Sequence, residues 1–157
     1  MRLFGFGKNK KKLSIQEERR HLLTPESDFF IREAYKTLRT NVSFALPGEE
    51  GGKVIVVTSS LQGEGKSITA MNLAISYAMA DRKVLIIDSD MRRPKLARLL
   101  QKGSKVGLSN LIVNSKLLDE AIKPSHVPGL DVILSGNVPP NPSELLGSAR
   151  MEALIAQ

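Results

Sequence analysis

Lys53-Val-Ile-Val-Val-Thr58 runs into Ser59-Ser-Leu-Gln-Gly-Glu-Gly-Lys-Ser67, and this stretch decides the fold. Its first half is a β-branched run bounded by a Gly/Ser-rich loop, the pattern of a short strand buried on both faces. Its second half ends in Gly65-Lys66-Ser67, which completes the phosphate-loop pattern G-x-x-x-x-G-K-[ST], with Ser60 at the first glycine position. From Ser67 to Ala80, apolar residues cover most of a helical circumference, so a largely buried helix is expected. Glycines let the loop curl so that successive N–H groups point at a phosphate, and the positive end of the next helix adds to that field. Lys66 can then reach the β- and γ-phosphates, and the Ser67 hydroxyl can ligate Mg²⁺. An ordinary glycine-rich turn with a surface lysine is the plain alternative.

Working downstream, Lys83-Val-Leu-Ile-Ile-Asp88 reads as a second buried strand, followed by Ser89-Asp90. A right-handed crossover brings the ends of both strands to one edge of the sheet, where ligands of open α/β sheets bind. Asp88 and Asp90 therefore approach whatever Lys66 and Ser67 hold. One can ligate Mg²⁺ and the other can accept a proton from an incoming hydroxyl. Capping of the helix that opens near Pro94 is the competing role. Arg92 and Arg93 can steady a transferring phosphate or simply be solvated.

The rest of the chain is read more coarsely. Apolar residues at Ile31, Ala34, Tyr35, Leu38, Val42 and Ala45 predict a helix over 28–46, capped by Ser27 or Asp28. Helices are expected over 94–101, 108–113 and 116–122, and a third strand over 130–134. Asn141-Pro142-Ser143-Glu144 predicts a helix start, with that helix running to Gln157. Alternating strands and helices imply an α/β layer fold with a parallel sheet. Three strands make it thin, and no strand follows the last helix, so a doubly wound fold is expected to be incomplete at the C-terminus.

Composition sets limits. The 157 residues hold 41% hydrophobic and 25% charged side chains, as in globular proteins. The absence of cysteine excludes disulfides, a thiol nucleophile and Cys-ligated metal. Isolated His21 and His126 offer no metal set. No apolar run is long enough to cross a membrane. Of the net charge of +7, residues 1–23 carry +5, which reads as a flexible basic arm on a nearly neutral body. That argues against nucleic-acid binding by the fold. Leu3, Phe4 and Phe6 ahead of four lysines suit weak contact with an anionic membrane surface, with a plain solvated tail as the alternative.

Taken together, TSSLQGEGKS, VLIIDSDMRRP, GNVPPNPSELL and EAYKTLRTN resemble the bacterial tyrosine kinases (BY-kinases) of capsule and exopolysaccharide synthesis over residues 24–157. The resemblance implies a P-loop NTPase-like fold, doubly wound with a mainly parallel sheet flanked by helices. It implies a protein-tyrosine autokinase that uses ATP and Mg²⁺. The first motif is then Walker A and the Asp88/Asp90 strand is Walker A′. Gly63, Glu64, Gly65, Lys66, Ser67 and Ile68 would bind ATP. Ser67 and one of Asp88 and Asp90 would hold Mg²⁺, and Lys66, Asp88 and Asp90 would be catalytic. Glu33, Lys36 and Arg39 match an E-x-x-R-x-x-R oligomerisation motif, with Lys36 in place of Arg, which implies a homo-oligomeric ring; a solvated charge stripe is the alternative. The family pattern further implies a cytoplasmic chain at the inner face of the membrane, activated by a membrane adaptor of the polysaccharide co-polymerase type. It also includes a later Walker B strand and a tyrosine cluster, neither of which this sequence contains. Tyr35 and Tyr77 fall on predicted helices and read as core packing. A regulatory ATPase of the partitioning type would carry an extra lysine at 59–61, where none stands. A non-catalytic piece that binds an adaptor or other subunits remains the third reading.

Overall fold

Two short apolar runs, Val84–Ile87 (β1) and Leu130–Ile133 (β3), carry the fold of the computed structural model, which describes residues 14–46 and 52–156. They pair in parallel, Val84 against Leu130 and Ile87 against Ile133. Ile122–Pro124 (β2) joins the far side of β3 antiparallel, so the order is β1-β3-β2. Side chains alternate across a strand, and this sorts the core into two layers. Ile86, Leu130 and Val132 face Met71, Ala74, Ile75 and Ala78 of Lys66–Ala78 (α3) and Leu96, Leu99 and Leu100 of Leu96–Leu100 (α4). Ile133 faces the other way, onto Leu108–Val113 (α5) and Leu118–Ala121 (α6). Helices thus cover both faces, the α/β arrangement expected from the alternation in sequence.

Several expectations need correcting. Residues 53–58 are in no strand, and Val54, Ile55 and Val56 are 61%, 40% and 83% exposed. β-branched composition favours an extended backbone, but a strand also needs a ladder partner, and this run has none in the observed sheet. The sheet is mixed rather than parallel because Ile122–Pro124, expected to end a helix, forms β2 and pairs antiparallel with β3. Its Pro124 is tolerated because β2 is an edge strand. The segment 116–122 instead forms a 3₁₀ turn, Ser115–Leu117, and the short α6. The final helix breaks at Gly147-Ser148 into Pro142–Leu146 (α7) and Ala149–Ile155 (α8). Asn141 does not cap α7 with its side chain, which instead donates to Glu144 Oε2 at 2.6 Å. The helices over 29–45 (Phe29–Ala45, α2) and 66–78 match their predictions, with the Asp28 carboxylate accepting from Phe30 N at 2.8 Å.

The arm read over residues 1–23 is ordered across its described part. Ser14 and Glu17 form a reciprocal cap on Ile15–Arg20 (α1), and Leu23 is buried. Asn72, itself buried on α3, anchors the chain leaving α1: its Oδ1 accepts from Leu23 N and its Nδ2 donates to His21 O, both at 2.8 Å. Glu18 pairs with Lys95 at 2.7 Å. Removing Asn72 strands two backbone groups, each costing about 1–3 kcal/mol when buried. Asn72→Ala is therefore expected to lower the urea midpoint and to expose the peptide bonds after Arg19 and Arg20 to trypsin. An unchanged cleavage rate there would show that α1 is held by other contacts. Residues 1–13, with the lysines assigned to membrane contact, lie outside the described residues.

Candidate nucleotide site

The loop after Thr58 is shaped by two glycines with left-handed backbone, Gly63 (φ 87°) and Gly65 (φ 95°), a region that side chains disfavour. Ser59 Oγ donates to Leu61 O at 3.0 Å, and the Glu64 carboxylate accepts from Leu61 N at 3.0 Å. Glu64 is therefore a staple within the loop, and its side chain is turned onto the loop's own backbone. Gly65 starts α3 without a side-chain cap. The N–H groups of Lys66, Ser67 and Ile68 meet no acceptor among the described residues. A 13-residue helix thus presents free amides and its positive end beside the glycine curl, which fits a polyphosphate. The Ile68 side chain turns away and packs against the first core layer, so it contributes backbone only.

Lys66 lies across the opening with its Nζ 2.5 Å from Asp90 Oδ2. Asp90 Oδ1 accepts from Arg93 N at 3.0 Å. Partial burial pushes the Asp90 carboxyl up, but the Lys66 hydrogen bond, the Arg93 N–H and the charges of both residues outweigh it and hold it below the usual carboxylate range. Asp88 differs. Burial pushes its carboxyl up, opposed by N–H donation from Leu96 at 3.0 Å and Asp90 at 3.2 Å; the Asp90 charge pushes it further up. Both Asp88 oxygens are thus occupied by backbone, and the capping role weighed in the sequence applies to Asp88. Lys66 and Asp90 face each other across the site, whereas Asp88 sits beneath them.

The sign of the pH dependence follows. Asp90 titrates lower in the folded chain than unfolded, so its stabilisation is present above the unfolded pKa and is lost as pH falls through the folded one. With both partners about a third exposed, its size is under ~1 kcal/mol. Asp90→Asn is expected to lower the neutral-pH urea midpoint slightly and to match wild type only once pH has fallen through the lowered folded pKa of Asp90. A gap that persists in acid would assign the loss to packing.

Contacts that spacing did not reveal complete the site. Arg93 donates to the Gln62 side chain, joining the turn after β1 to the phosphate loop. Arg92 donates to Ser143 Oγ at 3.1 Å, joining that turn to α7. Both arginines were singled out in the sequence, but their partners are 31 and 51 residues away, beyond any local pattern. The proposed ring motif divides. Glu33 and Lys36 pair at 2.6 Å on the exposed side of α2, while Arg39 turns inward onto the carbonyl and hydroxyl of Ser76. Tyr35 packs against the first core layer, and Tyr77 shares a 2.9 Å hydroxyl contact with Ser43. No described helix is long and apolar enough to cross a membrane.

A phosphate-loop α/β domain is what this fold and loop define, and comparison with known proteins agrees. A family model described as an AAA domain matches residues 52–155, and the chain belongs to that family. It is 41% identical over 122 residues to the tyrosine-protein kinase YwqD of Bacillus subtilis (strain 168), covering 78% of this chain and 51% of the relative. It is 39% identical over 125 residues to the putative tyrosine-protein kinase CapB of Staphylococcus aureus, covering 80% of this chain and 54% of the relative. Among solved structures, the chimerical protein CapA2B2 superposes with a TM-score of 0.75 at 38% identity, over 85% of this chain and 57% of that one. The resemblance to bacterial tyrosine kinases read from the motifs is borne out. The chain spans about half the length of the curated relatives it matches.

Proposed function

We propose that this chain is the nucleotide-binding part of a protein-tyrosine autokinase that regulates capsular or extracellular polysaccharide synthesis. The observation that carries the reading is Lys66 held across a glycine loop of free N–H groups by a carboxylate from the next strand. Gly63 to Ile68 cradle the ATP phosphates with backbone amides, and Lys66 leaves Asp90 for the β- and γ-oxygens. The donor set fits Mg²⁺: the Ser67 hydroxyl and the Asp90 carboxylate are hard oxygens, and Mg²⁺ sites commonly combine one or two carboxylates with substrate phosphate. When bound, the ion neutralises charge between the β- and γ-phosphates. Asp90 is the group best placed to serve the metal or a tyrosine hydroxyl, while Asp88 fixes the turn that presents it.

The reading extends to partners. Exposed Phe30 and Phe44, 78% and 86% accessible, flank the Glu33–Lys36 pair on α2 and support a subunit contact there. Arg39 would act in such a ring by bracing α2 on α3. A membrane adaptor of the polysaccharide co-polymerase type, with the chain at the inner face of the cell membrane, completes the proposal. Residues 14–23 belong with the kinase domain, because α1 packs on α4 and Asn72 of α3 holds the segment after it.

The test is the Mg²⁺ dependence of ATP binding by calorimetry. Asp90→Ala is expected to abolish the gain in affinity that Mg²⁺ confers on the wild type, while Asp88→Ala lowers stability first. An undiminished Mg²⁺ gain in Asp90→Ala would remove Asp90 from the metal site.

A further inference from the structure

Pro139-Pro140-Asn141-Pro142 (PPNP), part of the GNVPPNPSELL stretch and unused by the nucleotide site, forms one wall of a cleft of about 440 Å³ between α5 and α7. Val113 and Leu117 line the α5 side, and Pro139, Pro140 and Leu145 line the other. A second, separate hollow of about 310 Å³ shares Asn141 and Leu145 with it and is also lined by Glu144 and Arg150; the groove is the larger of the two.

The polar groups are specific in type. The larger hollow has no charged lining residue; four asparagines and Ser109 supply its polarity. Asn110 and Asn114 have their carbonyl oxygens occupied by Gly107 N and Lys116 N, leaving their NH₂ groups free to donate. Asn141 is the reverse, its NH₂ taken by Glu144 and its oxygen free to accept. Asn137 makes no hydrogen bond among the described residues. Ser109 is 94% buried by its 6% exposure, and its Oγ has no partner. Gly136 keeps this corner open, since a Cβ there would lie 2.7 Å from Ser109 Oγ and 2.6 Å from Asn110 Oδ1.

Neutral donors and acceptors along apolar walls match the main chain of an extended polypeptide. A phosphate or carboxylate ligand would call for a cation, and the larger hollow has none. A sugar usually stacks on an aromatic ring, and neither hollow has one. The groove also sits at the reacting edge. Residues 135–141 leave the C-terminal end of β3, and Asp88 stands at the same end of the parallel β1. Arg92, two residues from Asp90, holds Ser143 on the helix that lines the groove.

We infer that this groove seats an extended, uncharged stretch of the tyrosine-bearing acceptor polypeptide beside the nucleotide site. The inference rests on the kinase reading for the identity of the acceptor, and it stands on the groove for the binding itself.

The test uses the full 157-residue chain and a dye-labelled, end-capped peptide of glycine, serine and tyrosine, followed by fluorescence anisotropy. Saturable binding is expected, weakened at least about tenfold (~1.4 kcal/mol) by Val113→Glu, which charges an exposed apolar wall, and by Asn137→Ala, which removes an unpartnered amide. Both variants should keep the wild-type circular dichroism and Mg-ATP affinity. Lys66→Ala should weaken nucleotide binding and keep the peptide affinity, so a failure of the nucleotide reading stays separate from a failure of the groove. Equal peptide affinity across wild type and both groove variants, or no saturable binding, would overturn the inference. So would binding of a neutral oligosaccharide in place of the peptide.

Discussion

Lys66→Ala is expected to weaken Mg-ATP binding roughly tenfold to a hundredfold, the equivalent of the ~1.5–3 kcal/mol carried by a hydrogen bond to a charged group. Two effects act in the same direction. The variant loses the cation fixed at the start of α3, and it leaves Asp90 unpaired at the mouth of the loop, where its charge repels phosphate. The ion pair with Asp90 also means that nucleotide must displace Lys66 from a carboxylate before it is bound. A double-mutant cycle separates these contributions. In the absence of Mg²⁺, Lys66→Ala combined with Asp90→Asn should recover part of the affinity lost by Lys66→Ala alone, because the repelling charge is gone. Strict additivity would mean that the pair is not coupled to binding, and an unchanged titration of the single variant would remove Lys66 from the phosphate site.

The second large effect concerns turnover. With Mg-ATP and a separate tyrosine peptide, this chain is expected to form phosphotyrosine at least about a hundredfold more slowly than full-length YwqD, the scale on which one preorganised electrostatic group acts. The structural reason lies beside the site. Val54, Ile55 and Val56 lead exposed into the phosphate loop, in no strand of the sheet. Among the described residues β1 pairs only with β3, so its other edge has no partner there, and Leu85 of β1 is 44% exposed. The loop is therefore anchored firmly at its α3 end and weakly at its start. Among the described residues no third acidic group stands with Asp88 and Asp90 in a metal-binding cluster. Adding the C-terminal half of the relative as a separate polypeptide should raise the rate by ordering this segment. Comparable rates from the chain alone and from the full-length relative would show that Asp88 and Asp90 suffice.

What the sequence revealed depended on how local the controlling physics is. The glycines of the phosphate loop, the buried face of α3 and the Asp28 cap are set by neighbours within a few residues, and each was legible. So was the Asp88/Asp90 pair, because a strand end followed by a turn fixes its edge, whereas only the structure separates Asp90, paired with Lys66, from Asp88, held by backbone N–H groups. The Lys53–Thr58 strand was misread because composition reports what a backbone favours and pairing decides what it forms. β2 was hidden by its proline and by its brevity. The α1 anchor depends on Asn72, a polar residue on an apolar helix whose partners lie about fifty residues upstream. Arg39 belongs to a motif for which the family resemblance implies contact between subunits, yet the packing of α2 on α3 turns it towards Ser76. Nothing local in the PPNP segment marks the cleft, because its other wall comes from α5, about thirty residues upstream.

The central claim is that Mg-ATP sits on the loop between Gly63 and Ile68, facing Asp90. Backbone amide resonances of the ¹⁵N-labelled chain, recorded while Mg-ATP is added, test it most directly. The account predicts saturable shifts concentrated at Gly63 to Ile68 and at Asp90 to Arg93, with α5 and α8 unmoved. Saturable shifts confined to other elements, or no shifts at those loop amides at saturating Mg-ATP, would contradict it.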